Sequence, residues 1–206
     1  MTREVQELMI YIIRHGQTAL NKTRALQGRS DSPLNETGEE QARAVGAWFR
    51  EQGITFTQIY TSPLIRAVQT AHLAAGEHVP LTLDDRLIEM DYGPYEGIDL
   101  KNPPPEIITF FSDFVHNPAP EGMEQLSEVV ARLGSFLEDL RPQAAEGNIL
   151  LSAHAISMKG ALEYLNPASR GAWWSTTLGN CALFRTEYRD GKYTLPEQVH
   201  WEQDGE

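Results

Sequence analysis

The sequence predicts an α/β protein in three layers, with helices on both faces of a mixed, mostly parallel central sheet. Three observations lead there. Continuous apolar runs such as Leu8 to Ile13 break abruptly into charge and glycine, as strands buried on both faces do. Segments of helical period lie between those runs. Further on, two short strand-like segments flank Asp190-Gly191, a hairpin dipeptide that implies an antiparallel portion of the sheet.

The elements follow in order. Leu8 to Ile13 is the first strand. Thr37-Gly38-Glu39-Glu40 fits a capping box, with Ala42, Val45, Trp48 and Phe49 on one apolar face behind it and Gly53 as terminator. Gln58 to Thr61 is a short strand, and Ser62-Pro63 reads as an N-cap with proline at the first helical position of a helix running to about Gly76. Val79 to Leu83 is a further extended segment. From Glu89 to Gly122 the chain is irregular and proline-rich, with Pro103-Pro104-Pro105 and a short helix expected over Pro105 to Val115. Residues 90–122 are therefore the expected small lid insertion, which would select substrates, in a single domain spanning residues 1–206. A helix from Glu124 to Arg141 should turn Leu126, Val130, Leu133 and Leu137 inward and stop at Pro142. Ile149 to Ser152 is another buried strand. Cys181 to Tyr188 and Lys192 to His200 form the hairpin pair.

Composition narrows the function. With 41% hydrophobic and 22% charged residues, the chain has the makeup of a globular protein. A formal net charge of -12 argues against general binding to nucleic acid or anionic membranes. Any site for a phosphorylated substrate must then concentrate its cations locally. Cys181 is the one cysteine, so no internal disulfide can form and nothing points to an oxidising compartment. The run Leu8 to Ile13 is too short to cross a bilayer and is flanked by acidic residues, unlike a signal peptide. A cytoplasmic location is the default expectation.

Ligands of open α/β sheets bind beyond the carboxyl ends of the strands. There the first strand delivers Arg14 and His15, the second leads through Thr61-Ser62-Pro63 to Arg66, and the strand at 149–152 leads to His154. The segment Val79 to Leu83 is followed after a short loop by Glu89. Arg66 lies near the positive end of its expected helix, where a cation is disfavoured by roughly 0.3–1 kcal/mol. An anion resting between it and the helix end would explain its presence. Phosphoryl transfer calls for this set: a nucleophile, cations over the equatorial oxygens and an acid for the leaving oxygen. A neutral His15 can attack phosphorus, Arg14 and Arg66 can clamp its oxygens, a protonated His154 would add a charge-assisted donor, and Glu89 can protonate the leaving alcohol and then activate water. No histidine pair has a persuasive metal spacing, and no cofactor is expected. His72, His78, His116 and His200 read as structural or solvated, Cys181 as a buried strand residue, and Trp173-Trp174 as packing.

Arg14-His15-Gly16-Gln17-Thr18, with Asn21, resembles the signature of the histidine phosphatase (phosphoglycerate mutase-like) superfamily. The likeness continues through Leu26-Gln27-Gly28-Arg29-Ser30-Asp31-Ser32-Pro33-Leu34, Gly38 and Gln41-Ala42. It recurs at Thr61-Ser62-Pro63-Leu64-Ile65-Arg66-Ala67 with Gln69-Thr70, at Glu89-Met90-Asp91-Tyr92-Gly93 with Glu96-Gly97, and at Ser152-Ala153-His154. The resemblance implies His15 as nucleophile, Arg14, Arg66 and His154 as the phosphate pocket, and Glu89 as proton donor. It also implies phosphate or substrate contacts from Asn21, Gln27 and Gly28. The chain departs from the family where Ala155-Ile156 follow the second histidine in place of glycine. It departs again where Gly122-Met123-Glu124-Gln125 replaces Gly-Gly-Glu-Ser.

Three functions compete. A phosphatase acting on a small phosphorylated metabolite is favoured. A phosphoglycerate mutase would resemble Glu-Arg-x-Tyr-Gly after the acid and carry more arginines for the substrate carboxylate. Here Met90 stands in that arginine's place, and Lys101 is the only cation between residues 90 and 122. A catalytically dead phosphate-binding protein is the third reading. The identity of the substrate and the formation of a homo-oligomer are left open.

Overall fold

The computed structural model describes residues 8–141 and 147–201. Its strands are β1 (Leu8–Arg14), β2 (Gln58–Thr61), β3 (Leu81–Leu83), β4 (Ile149–Ala153), β5 (Leu183–Arg189), β6 (Lys192–Tyr193) and β7 (Glu197–Val199). The helices are α1 (Ala19–Thr23), α2 (Glu36–Glu51), α3 (Ile65–Ala75), α4 (Pro105–Ser112), α5 (Leu126–Leu140) and α6 (Ala155–Leu165). The sheet runs β3-β2-β4-β1-β5-β6, with β7 also paired to β5. β1, β4, β2 and β3 are mutually parallel, whereas β5 runs antiparallel to β1. This is the mixed, mostly parallel sheet expected from the sequence.

Alternation along β1 divides the core in two. Ile10 and Ile12 join Leu133, Phe136 and Leu137 of α5 and Leu162 of α6 on one face. Tyr11 and Ile13 join Val45 and Phe49 of α2 and Ala71 of α3 on the other. Both faces of β1 are therefore dry, which is why its sequence shows no polar alternation. Residues 90–123 are held by their apolar side chains: Met90, Tyr92, Ile107, Phe110 and Met123 sit in the first core, with α4 ending earlier than Val115. Among the described residues no helix is long and apolar enough to cross a membrane.

Several element boundaries differ from expectation. The cap of α2 is Asn35, not Thr37; its side-chain oxygen accepts from Gly38 N at 2.8 Å. Helix α3 starts at Ile65, so Ser62-Pro63 does not cap it; Ile65 N–H is satisfied by Asp31 Oδ1 at 2.7 Å. On α5 the buried face is Val129, Leu133, Phe136, Leu137 and Leu140, with Leu126 and Val130 only partly covered, because the helix packs along α6 as well as over the sheet. Pro142 lies outside the described residues. Cys181 is buried but precedes β5, with φ of 56°. The turn at Asp190-Gly191 has φ of 53° and 79°, as a two-residue hairpin requires. The expected strand from Lys192 to His200 divides into β6 and β7 around Pro196, which has no N–H to give the ladder.

Candidate active site

Sheet register builds the site. Ile13 of β1 and Thr61 of β2 both lie opposite Ser152 of β4, and Arg14 lies opposite Ala153. One residue further, where the strands end, His15, Ser62 and His154 are brought side by side. His15 N donates to Ala153 O at 3.0 Å, and the His15 and His154 rings lie 5.1 Å apart between centroids. The turn after His15 is pressed onto α2, so that a Cβ on Gly16 would lie 2.3 Å from Gly38 O. Only glycine fits there.

The charged members are buried together. His15 and Glu89 are 3% exposed, and Arg66 and His154 are 0% exposed. His15 Nδ1 lies 2.7 Å from Gly16 O, an acceptor, so that nitrogen carries the ring proton. Its Nε2 is left with a lone pair, to which Arg66 Nε donates at 3.3 Å. Burial, helped by the Arg14 and Arg66 charges, holds the His15 pKa well below the usual histidine range. The ring is thus a neutral base with its lone pair directed at a guanidinium.

His154 would add a charge-assisted donor if it were protonated. Instead burial, then Arg66, His15, Arg14 and Arg132, pushes its pKa well down, so the unliganded ring is neutral. Its Nε2 lies 2.8 Å from Ser62 Oγ, and its Nδ1 is buried without a partner among the described residues. Arg14 donates to Leu178 O, and its Nε is likewise buried and unpartnered. Buried polar atoms of that kind call for a hydrogen-bonding partner.

Arg66 is aimed by the loop that follows Gln27. It donates to Gly28 O at 2.5 Å and Ser30 O at 2.7 Å. Glu96 holds that loop from the other side, accepting from Gly28 N at 2.9 and 3.1 Å, from Ser30 N at 3.1 Å and from Ser30 Oγ at 2.5 Å. A Cβ on Gly28 would lie 2.6 Å from the Glu96 carboxylate. The Gly28 N–H and carbonyl are both engaged within the protein, so the residue shapes the loop. Glu89 accepts from Met90 N (2.9 Å), Ser157 N (3.0 Å) and Ile156 N (3.2 Å), which seats its carboxylate at the positive end of α6, immediately beside His154. Ala155 therefore fits well: the amides that follow it are what the carboxylate needs, whatever the first helical side chain.

Asn21 and Gln27 join the site through an amide network. Asn21 Oδ1 accepts from Asn180 Nδ2 at 3.2 Å, and the same amide nitrogen donates to His15 O at 3.1 Å. Gln27 Oε1 accepts from Thr18 Oγ1 at 2.7 Å and from Asn21 Nδ2 at 3.4 Å. Glu124 is bonded to Arg132 at 2.7 Å and Arg29 at 3.5 Å and accepts from Asp91 N at 3.1 Å, so its role is to brace the chain beside Glu89. Met90 is fully buried in the core. Its side chain thus offers nothing to the pocket, and Lys101 is the one lysine or arginine in residues 91–122. His116 is exposed and pairs with Asp113 at 2.7 Å. Trp174 packs in the core, and its carbonyl accepts from Lys159 Nζ at 2.8 Å; burial pulls the Lys159 pKa down to about 8. Among the described residues no group of three or more His, Cys, Asp or Glu could hold a metal ion.

Ser62, Glu96, Asn180 and Lys159 were not singled out as site residues from the sequence. Ser62 was read as a helix cap and Glu96 only as part of a motif. Asn180 and Lys159 carry no local signal, since each becomes legible only when a distant segment folds against the first strand.

Residues 10–200 match the model of the histidine phosphatase superfamily (branch 1). The chain belongs to that superfamily. A relative in Yersinia enterocolitica, named probable phosphoglycerate mutase GpmB, is 32% identical over 90% of this chain and 87% of its own. Among solved structures, phosphoserine phosphatase from Entamoeba histolytica, in complex with 3-phosphoglyceric acid, superposes with a TM-score of 0.80 at 25% identity, over 94% of this chain and 97% of that one. Phosphoglycerate mutase from Bacillus anthracis superposes with a TM-score of 0.79 at 25% identity, over 95% and 94%. The superfamily members that this chain resembles are thus phosphatases and mutases alike.

Proposed function

We propose that the protein is a metal-independent phosphatase that hydrolyses a small phosphorylated metabolite through a phosphohistidine at His15. The carrying observation is the Nε2 lone pair of a buried, neutral His15 directed at Arg66, with Nδ1–H held by Gly16 O. Nε2 attacks phosphorus as the bond to the leaving oxygen breaks. Arg14 and Arg66 spread the charge of the equatorial oxygens, with Asn21 and Gln27 at the edge of the pocket. Glu89 gives its proton to the departing alkoxide and, as carboxylate, takes one from the water that then cleaves the phosphohistidine. Phosphate leaves, and His15 returns neutral. The single cysteine, Cys181, suits a reducing compartment, and we assign the enzyme to the cytoplasm.

Hydrolysis is favoured over isomerisation by the poverty of cations in residues 91–122, where Lys101 stands alone. The mutase reading is supported by the Yersinia enterocolitica relative's name. Incubation with p-nitrophenyl phosphate in EDTA separates the two: turnover supports the phosphatase, and activity confined to phosphoglycerate with a bisphosphoglycerate primer supports the mutase. Loss of hydrolysis and of phosphoryl labelling is expected for His15→Ala. Hydrolysis that survives this change would exclude the mechanism, and a wild-type protein that never forms a phosphoryl adduct would be a binding protein only.

A further inference from the structure

We propose that Ser62 is a positioning residue that fixes His154 as its Nδ1–H tautomer, so that an uncharged ring donates a hydrogen bond to the phosphoryl group. The proposal rests on the phosphoryl-pocket reading above. It starts from register, which sets Ser62 beside His154 at the ends of two neighbouring parallel strands. Ser62 Oγ lies 2.8 Å from His154 Nε2, and both residues are 0% exposed. The amide of Leu64 donates to the same Ser62 oxygen at 3.3 Å. With a lone pair of the hydroxyl engaged there, its proton is free to go to Nε2, and the ring proton is left on Nδ1.

Nδ1 is the ring atom with no partner among the described residues, in a ring buried beside that of His15. Carrying a proton, it needs an acceptor, and a phosphoryl oxygen supplies one. Carrying a lone pair, it would face an anion with like charge. Arg14, Arg66 and Arg132 all act on this ring, and each opposes placing a further positive charge on it. A neutral donor lets the ring contribute to the pocket without that repulsion. Ser62 is not the N-cap of α3, which begins at Ile65 after Leu64; its hydroxyl serves the turn before that helix by accepting from Leu64 N, and it also reaches His154.

The test is the tautomer of His154 in the whole protein labelled with ¹⁵N-histidine. It is read from two-bond ¹H–¹⁵N correlations and assigned by comparison with His154→Gln. Orthovanadate affinity is then measured for the wild type, Ser62→Ala and Ser62→Thr. The expected result is the Nδ1–H tautomer in the wild type, mixed tautomers and about tenfold weaker vanadate binding in Ser62→Ala, and restoration of both by Ser62→Thr. An Nε2–H tautomer in the wild type overturns the proposal. So does a Ser62→Ala protein with unchanged tautomer and affinity. Wild-type protein that holds the Nδ1–H tautomer but binds no vanadate would instead overturn the phosphoryl pocket itself.

Discussion

The pocket at the strand ends and the segment of residues 91–122 are built on opposite plans. In the pocket the polar side chains are buried or half-buried and tied to distant parts of the chain: Arg66 to Gly28, Ser30 and His15, Glu89 to the start of α6, and Asn180 to both His15 and Asn21. In the segment the apolar side chains are anchored in the core, and apart from Glu96, which holds the Gly28–Ser30 loop, and Asp91, which also pairs with Arg29, several polar ones close short local turns. Asp91 accepts from Gly93 N at 2.8 Å, Asp99 from Lys101 N at 2.9 Å, and Asp113 from Val115 N at 3.0 Å. Such turns tolerate substitution, because each concerns only its own few residues.

That contrast can be broken by experiment. The largest effect is expected for Arg66→Ala, which should lower kcat/KM about a thousandfold on every phosphomonoester tried. Glu96→Ala should cost about tenfold alone and little more when added to Arg66→Ala, because it acts through the loop that aims that guanidinium. Additive losses in the double variant would show that Glu96 has a separate role. Glu89→Gln should lower turnover about a hundredfold or more on alkyl phosphates and much less on p-nitrophenyl phosphate, whose leaving group needs no proton. Equal losses on both would remove Glu89 as the acid.

A pH series probes the same buried cluster. Because the His15 pKa is depressed, the ring stays neutral as pH falls past the ordinary histidine value of about 6.5. We expect no loss of kcat/KM between pH 8 and pH 6 from this group. Stability behaves differently. The unfolded chain takes up protons on its histidines below about 6.5, while folded His15 and His154 do not. Stability should therefore be fully present above that pH and decline as pH falls toward the lowered folded values, seen as a falling Tm. A flat Tm from pH 7 to pH 5 would contradict the burial of both rings. The smallest effect belongs to the segment. Lys101→Ala should leave turnover of neutral sugar phosphates unchanged and raise KM for phosphorylated acids by about twofold to threefold, as an exposed charge allows. A tenfold change would move Lys101 into the pocket.

The sequence by itself determined the strands and the chemistry they deliver. Burial on both faces leaves β1 apolar up to Arg14 and β4 without charge throughout, Ser152 being its one polar residue, so Arg14, His15 and His154 stand out at the ends of those runs. Arg66 was legible for a related reason, as a cation at the wrong end of its helix. Capping was read less well: Asn35 and Thr37 are both good caps, and the choice fell to Asn35 because its amide also reaches Gln17 Oε1 at 2.9 Å, a partner from another loop. Ser62 and Pro63 satisfied a local rule that tertiary bonding overrode.

What only the tertiary structure decided is the state of the groups. The neutrality of His15 and His154 comes from burial among guanidiniums contributed by separate elements. The aim of Arg66 depends on Glu96, thirty residues further along the chain. The placement of Met90 in the core was invisible for the same reason. Residue type and spacing declare which groups can react, but pKa, tautomer and orientation are set by neighbours that are close in space and far apart in sequence.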